Sequence, residues 1–423
     1  MKIAMFTNNY KPFIGGVPIS IERLAKGLRE IGHTVYIFAP SYDNQIDEDF
    51  LIRYKSRKKR MGVNKFVVPN ILDYHIEKEF KHLDFDIIHV HHPMLIGNVA
   101  LHLGKKYNLP VVFTYHTRYE QYLHNIKVYN FLEEKYKNEK INFLSEMEGT
   151  LLNYTKERII PAYIKMFLNK CDTVFAPTNL IKDYLKDVGV DSKLAVMPTG
   201  LDKSYFSENK AETIKIRNTY KGDKNYLFST VSRLTKEKNI EFIIDGVKLL
   251  KDRVGDCFNL MIIGDGPLKN SLQERARQLE VDDNIIFLNS VSNECIGDYY
   301  RASDIFLFAS KSETQGIVLL EAMAANNPVI AIKATGVADV VENGVNGYMT
   351  SEDTNQWVEK IILLMMNEGS METMKLGAYN TALKYVNSSI AKIAEKNYEN
   401  AIATHNKPDY YMEEGYGYNV NAR

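Results

Sequence analysis

Cysteine is scarce: three residues in 423, Cys171, Cys257 and Cys295, odd in number and far apart. That spacing supports neither a disulfide framework nor a zinc knuckle. Apolar runs of about 18 residues, the length that spans a bilayer, are missing as well. The opening MKIAMFTNNY reads as a buried strand rather than a secretory leader, so a cytoplasmic location is expected. Net charge is also lacking, since 53 Lys+Arg face 53 Asp+Glu. A neutral whole argues against nucleic acid as a partner. The length excludes one ordinary core and points to two domains of about 200 residues each.

What is present begins with charge in the wrong places. Residues 1–200 carry a surplus of about six cations, and the remainder carries the matching surplus of acids. The segment RYKSRKKR gathers Arg53, Lys55, Arg57, Lys58, Lys59 and Arg60 without an acid. It suits an anionic membrane surface, or simply a solvated loop. Farther on, KERIIPAYIKMFLNK interleaves Lys156, Arg158, Lys165 and Lys170 with Ile159, Ile160, Ile164, Phe167 and Leu168. A helix from Ala162 is expected either to lie on a membrane by its apolar face or to pack on a sheet, with Pro161 limiting its length.

The first half repeats a strand-then-helix rhythm. Strands are predicted over 2–6, 34–39, 66–68, 87–90, 111–114, 173–176 and 195–197, with helices over 18–31 and 95–107. The second half repeats it, with strands over 226–231, 259–263, 285–288, 305–308 and 329–332 and helices over 240–251, 268–279 and 357–364. Apolar strands without alternation, separated by helices, indicate parallel sheets covered on both sides. The fold class is α/β, with a first Rossmann-like domain over 1–200 and a second over 201–384. The polar stretch 202–224 marks the passage between them, a helix over 385–403 is long enough to cross back to the first domain, and 404–423 is a Tyr- and Gly-rich tail. Ligands of open parallel sheets bind beyond the carboxyl ends of the strands, which places a cleft between the two domains.

Candidate chemistry collects at those strand ends. Gly15 and Gly16 follow the first strand and let backbone N–H groups approach a phosphate. In HVHHP, His89 and His91 share a strand face, yet no acid or cysteine follows at ligand spacing, so no metal site is expected. His116 sits in the next strand-end loop, either hydrogen bonding into the cleft or serving structure, with Tyr115, Arg118, Tyr119 and Tyr122 around it. Arg233 and Lys238, with Lys236 as a competitor, can neutralise a diphosphate. Gly264 and Gly266 form a turn that would admit a ligand to the backbone, or merely join strand to helix. Between 313 and 331 the chain reads ETQGIVLLEAMAANNPVIA. A helix from Val318 would put Glu321 in its first turn and Glu313 in the loop before it, where carboxylates accept from sugar or ribose hydroxyls. The plain alternative has Glu321 facing solvent.

Together FTNNYKPFIGGV, TYHTRYEQY, MPTGLD, VSRLTKEKNI, IIGDGPLKNSL and SKSETQGIVLLEAMAANNPVIA resemble the family 4 retaining glycosyltransferases of GT-B fold. The likeness spans nearly the whole chain, and Glu313 to Glu321 looks like the family's E-x7-E element. It implies that Glu321 serves the nucleotide ribose, Glu313 the donor sugar, and Arg233 with Lys238 the diphosphate. It also places His116 near the reacting sugar, Gly16 near the phosphate, and the backbone of Gln315, Gly316 and Ile317 at the sugar hydroxyls. Gln315-Gly316-Ile317 departs from the usual Gly-Phe-Gly-Leu character, and Asn326 stands where the family has Gly. ETQG with HTRYEQY is similar to the membrane-associated subgroup that glucosylates diacylglycerol. The implied activity is transfer of glucose from UDP-glucose with retention, without metal or cofactor, to a lipid hydroxyl at the inner face of the membrane. A soluble sugar, polysaccharide or small-molecule acceptor, and a sugar-nucleotide binder without turnover, are the alternatives.

Overall fold

The computed structural model describes residues 1–13, 15–43, 45, 48–58, 67–116 and 158–405. Its first sheet contains β1 (Lys2–Phe6), β2 (Thr34–Pro40) and β3 (Leu51–Tyr54). A separate antiparallel pair, β4 (Ser56–Lys58) and β5 (Val67–Pro69), follows. β6 (Ile87–Val90), β7 (Val111–Thr114), β8 (Thr173–Ala176) and β9 (Lys193–Val196) complete the sheet in the order β3-β2-β1-β6-β7-β8-β9, all parallel. The strand expected at 66–68 thus pairs in a small ribbon and stays out of the main sheet.

Among the described residues the helices of this half are α1 (Gly16–Glu30), α2 (Tyr74–Leu83), α3 (Ile96–Tyr107), α4 (Ile160–Leu168) and α5 (Asn179–Asp187). Along β1 the side chains alternate between two cores: Ala4 and Phe6 join one, Ile3 and Met5 the other. Both faces are apolar because both are covered, which is why the strand shows no polar alternation.

After α6 (Lys210–Lys221) the second sheet runs β12-β11-β10-β13-β14-β15, again all parallel. Its strands are β10 (Tyr226–Val231), β11 (Phe258–Ile263), β12 (Ile285–Leu288), β13 (Ile305–Phe308), β14 (Val329–Ile332) and β15 (Gly347–Thr350). Its helices are α7 (Ile240–Val254), α8 (Lys269–Gln278), α9 (Ile296–Ala302), α10 (Ile317–Ala324), α11 (Thr354–Met365) and α12 (Glu368–Leu383). The polar stretch after Asp202 therefore contains a helix, α6, with Thr213 and Ile216 buried.

The last helix, α13 (Asn387–His405), returns to the first domain. Ile390, Ala391, Ala394, Tyr398 and Ala401 enter the core of Ile3, Met5 and Ala39. The approach to α1 is close, for a Cβ on Gly27 would lie 2.5 Å from the Asn387 carbonyl. The two crossings between domains run side by side: Leu201 bridges Val386, and Asn387 N–H donates to the Leu201 carbonyl at 2.9 Å.

In each sheet the strand order reverses at one point, between β1 and β6 and between β10 and β13. Loops leaving the carboxyl ends of such neighbours diverge and open a crevice, the position where open α/β sheets bind ligands.

Candidate active site

The loops after β10 and β13 bring the expected donor residues together. Lys238 Nζ meets Glu313 Oε1 at 2.5 Å, with both side chains largely shielded from water. Arg233 lies 3.5 Å from Glu237 and keeps 58% of its side chain exposed. Lys236 is exposed too, so Lys238 takes the inward position of the two lysines. Thr235 Oγ1 donates to Glu237 at 2.7 Å, and Lys311 N–H bonds the Glu237 carbonyl, which links this loop to the one from β13.

Gly264 and Gly266 have a local reason for lacking side chains. A Cβ on Gly264, at φ +142, would sit 1.9 Å from the Ser232 carbonyl. One on Gly266 would sit 2.4 Å from the Leu234 carbonyl. On the side where a Cβ would stand, the space at these two glycines is taken by the Arg233 loop, which they seat against β11. Gly316 takes φ +70 at the start of α10, and Gly336, at φ +81, lays the loop after β14 against the backbone of 313–315. Gly16 begins α1, and a Cβ there would meet nothing within 4 Å.

Two expectations about residues 313–326 are corrected. Helix α10 starts at Ile317 and carries no acid in its first turn, so Glu321 lies in the second. It does not face solvent: Arg23 donates to its Oε1 at 2.7 Å and Tyr300 to its Oε2 at 3.3 Å, and the residue is 8% exposed. Asn326, in place of the family's Gly, adopts φ +63. Its N–H bonds the Met323 carbonyl while that of Asn327 bonds Ala322, so the helix closes in a left-handed cap that Asn tolerates.

Gln315 spends its side chain on the other domain. Thr199 N–H donates to its Oε1 at 2.6 Å, and its Nε2 donates to the Thr199 carbonyl at 3.1 Å. Thr199 Oγ1 in turn lies 3.0 Å from Ser20 Oγ on α1.

Among the histidines, His91 Nδ1 and His116 Nε2 share a hydrogen bond of 2.9 Å with stacked rings. His89 is held by Tyr398 from α13 and by Thr114, each at 2.7 Å. Burial pushes His89 down to about 3 and His91 well below the usual imidazole range, aided for His91 by neighbouring imidazoles. Burial acts on His116 in the same direction. All three are neutral at pH 7. Among the described residues no group of three or more His, Cys, Asp or Glu could hold a metal ion.

These histidines give stability a pH dependence. The unfolded chain takes up protons below about pH 6.5, whereas folded His89 and His91 refuse them, so stability is lost as pH falls. Each should cost about 1 kcal/mol between pH 7 and 5.5. Thermal unfolding should show a lower Tm at pH 5.5, and an unchanged Tm would contradict the neutral buried pair.

Of the two readings of the segment from Ala162, packing on the sheet is the one observed. Ile164, Phe167 and Leu168 of α4 pack into the first core. Arg53 is engaged as well, donating to the Pro40 and Lys11 carbonyls at 2.9 and 2.8 Å, and so leaves the basic patch. Arg118, Tyr119, Tyr122, Lys156, Lys59, Arg60 and the tail beyond 405 lie outside the described residues. Arg23, Thr199 and Tyr300 were absent from the sequence-derived site. Only Arg23 left a sequence signal, a cation at three-residue spacing between Ser20 and Lys26.

Two family models divide the chain: Glycosyltransferase Family 4 over 14–205 and Glycosyl transferases group 1 over 211–381. The alpha-monoglucosyldiacylglycerol synthase of Streptococcus pneumoniae is 31% identical over 344 residues, covering 78% of this chain and 71% of its own. The chain belongs to the family 4 glycosyltransferases. The alpha-monoglucosyldiacylglycerol synthase of Acholeplasma laidlawii is 28% identical over 96% of this glycosyltransferase and 99% of its own length. Anabaena HepE, solved in complex with UDP, superposes with a TM-score of 0.69 at 17% identity, covering 95% of this chain and 100% of its own. The two facing parallel sheets are thus the GT-B fold, and the enzyme is a nucleotide-sugar-dependent glycosyltransferase.

Proposed function

We propose that the protein transfers glucose from UDP-glucose, with retention, to a hydroxyl of a diacylglycerol-type lipid at an anionic membrane surface. Lys238 and Arg233 receive the departing diphosphate, Glu313 beside Lys238 holds the donor sugar, and Glu321 accepts from the ribose. His116 lies at the reacting sugar, with the Gly16 backbone near the phosphate. Positive character at the anomeric carbon develops as the diphosphate leaves, and the acceptor hydroxyl attacks from the same side. Glu313 and Glu321 are not a glycosidase pair, since each is committed to a cation and to the donor. Charge is neutralised by side chains, so no cofactor or metal is required.

The acceptor reading is carried by the likeness to two diacylglycerol glucosyltransferases, and one surface supports it. At the turn between β5 and α2, Leu72 is 86% exposed and Tyr74 76%, with Ile71 beside them. Lys55 N–H donates to Asp73 at 2.7 Å, and Asn70 N–H bonds the Lys55 carbonyl, which joins this apolar tip to the basic ribbon. An exposed apolar tip joined to Lys55 fits an anionic headgroup layer. Among the described residues no helix is long and apolar enough to cross a membrane, so the contact is peripheral.

Flotation with anionic liposomes should bring the enzyme up. The exchange of Leu72→Ser with Tyr74→Ser should lower the bound fraction several-fold. Offered diacylglycerol and soluble sugars together, the enzyme should glucosylate the lipid. Absence of liposome binding, combined with transfer only to the soluble acceptor, would overturn the lipid assignment and leave the glycosyltransferase standing.

A further inference from the structure

We propose that Arg23, a first-domain side chain, is a positioning residue for the donor: it aims the Glu321 carboxylate at the nucleotide and makes donor affinity depend on the seating of α1. The inference rests on the assignment of Glu321 to the ribose. Its own observation is the buried pair across the interface, 2.7 Å long, with the side chains only 7% and 10% exposed.

The helix supplies the geometry. Ser20, Arg23 and Lys26 are three apart and share one stripe of α1. Each reaches the segment where the chain passes between domains or the donor loop beyond it. Ser20 meets Thr199, which Gln315 clasps by both its N–H and its carbonyl. Lys26 meets Asp202 at 2.5 Å. Arg23, between them, donates to the Gly200 carbonyl at 3.2 Å, to Tyr205 Oη at 3.1 Å and to Glu321. Its guanidinium also lies 5.0 Å from the Tyr205 ring centroid. A planar fork reaches the three acceptors from two nitrogens, whereas a lysine would have to reach them with three donors on a single nitrogen.

The carboxylate is left usable. An ionised carboxylate offers about four lone-pair directions. Arg23 takes one on Oε1 and Tyr300 one on Oε2. Tyr205 also lies against this carboxylate, and of about four directions one remains, enough for a ribose hydroxyl. A buried ion pair is poor evidence for stability, because desolvation opposes its attraction and an apolar pair of similar volume often does as well. It is better explained as fixing one orientation, and here the oriented group is the one assigned to the nucleotide.

The test is a double-mutant cycle on UDP affinity by titration calorimetry, with kcat and donor KM measured alongside. Arg23→Gln should weaken UDP about tenfold and raise donor KM in step while kcat changes less. Arg23→Lys should recover part of the loss. In Arg23→Gln with Glu321→Gln, the affinity should match that of Glu321→Gln alone. Thermal unfolding of every variant separates altered binding from an altered fold; where the Gln variant does not fold, the Lys variant and Tyr300→Phe carry the measurement, each expected to weaken UDP. Wild-type UDP affinity in the folded Arg23 variants, with Glu321→Gln weakened, overturns the proposal and spares the ribose assignment. Additive losses also overturn it, since Arg23 would then act apart from Glu321. Unchanged affinity in Glu321→Gln overturns the ribose assignment itself.

Discussion

Replacing Lys238 by alanine is expected to lower turnover by about 10²-fold or more, the scale of losing a charge partner made for the transition state. The residue is shielded, 2.5 Å from Glu313, and at the carboxyl end of β10 beside the sheet's switch point. Alanine removes a cation from the leaving diphosphate and also leaves the Glu313 carboxylate without its counter-charge where negative charge is about to build. The two effects act in the same direction. Arg233→Ala should produce a comparable loss through the diphosphate alone, because Arg233 is itself exposed and its present partner Glu237 is 3.5 Å away. Steady-state kinetics with UDP-glucose would decide, and wild-type kcat in either variant would remove that residue from the mechanism. The wild-type enzyme should keep its rate in EDTA, and strict dependence on a divalent ion would contradict neutralisation by side chains.

The second large effect is structural. Gly264→Ala is expected to destabilise the donor domain by about 3 kcal/mol or more, since it combines a strained backbone with a direct clash. At φ +142 a side chain is unfavourable in itself, and the new Cβ would lie 1.9 Å from the Ser232 carbonyl. Backbone cannot rotate aside as a side-chain tip can, so the loop carrying Arg233 must move. Urea unfolding should show an earlier transition, and activity should fall even where the protein remains folded. A variant with wild-type stability and turnover would show that the loop does not depend on this close approach.

The sheets were legible because their strands are apolar on both sides. Residues 226–231, 285–288, 305–308 and 329–332 were bounded as they occur, and the carboxyl-end loops followed from that. Strands β3 and β15 were not, since LIRY and GYMT break the apolar run with Arg53 in the one and with Gly347 and Thr350 in the other. That Glu313 and Lys238 come together was readable because both follow the carboxyl ends of neighbouring strands. Arg23 was not, because a cation on a helix's polar stripe looks like solvent exposure, and its partner Glu321 is 298 positions away. Gly264 and Gly266 were recognised as places of close approach, but not that the Ser232–Leu234 backbone is what lies on their Cβ side: a sequence shows that backbone must come close, not what approaches it. The face of α4 was left open between two readings for a related reason, since interleaved lysines look alike on a membrane and on a sheet.

The return of α13 has a consequence for synthesis. Ile3, Met5 and Ala39 are covered in part by Ile390, Ala391, Ala394 and Tyr398. The first domain is therefore translated with one side of its sheet only partly covered, by Ile21, Leu24, Ala25 and Leu28 of α1, and the whole second domain must leave the ribosome before the missing helix exists. Folding order is inverted relative to a simple bead-on-string chain, where the N-terminal unit finishes first. A stalled or truncated product ending before residue 387 would carry a complete donor half attached to an acceptor half with an open apolar flank, and so would be a substrate for chaperones rather than a shorter enzyme.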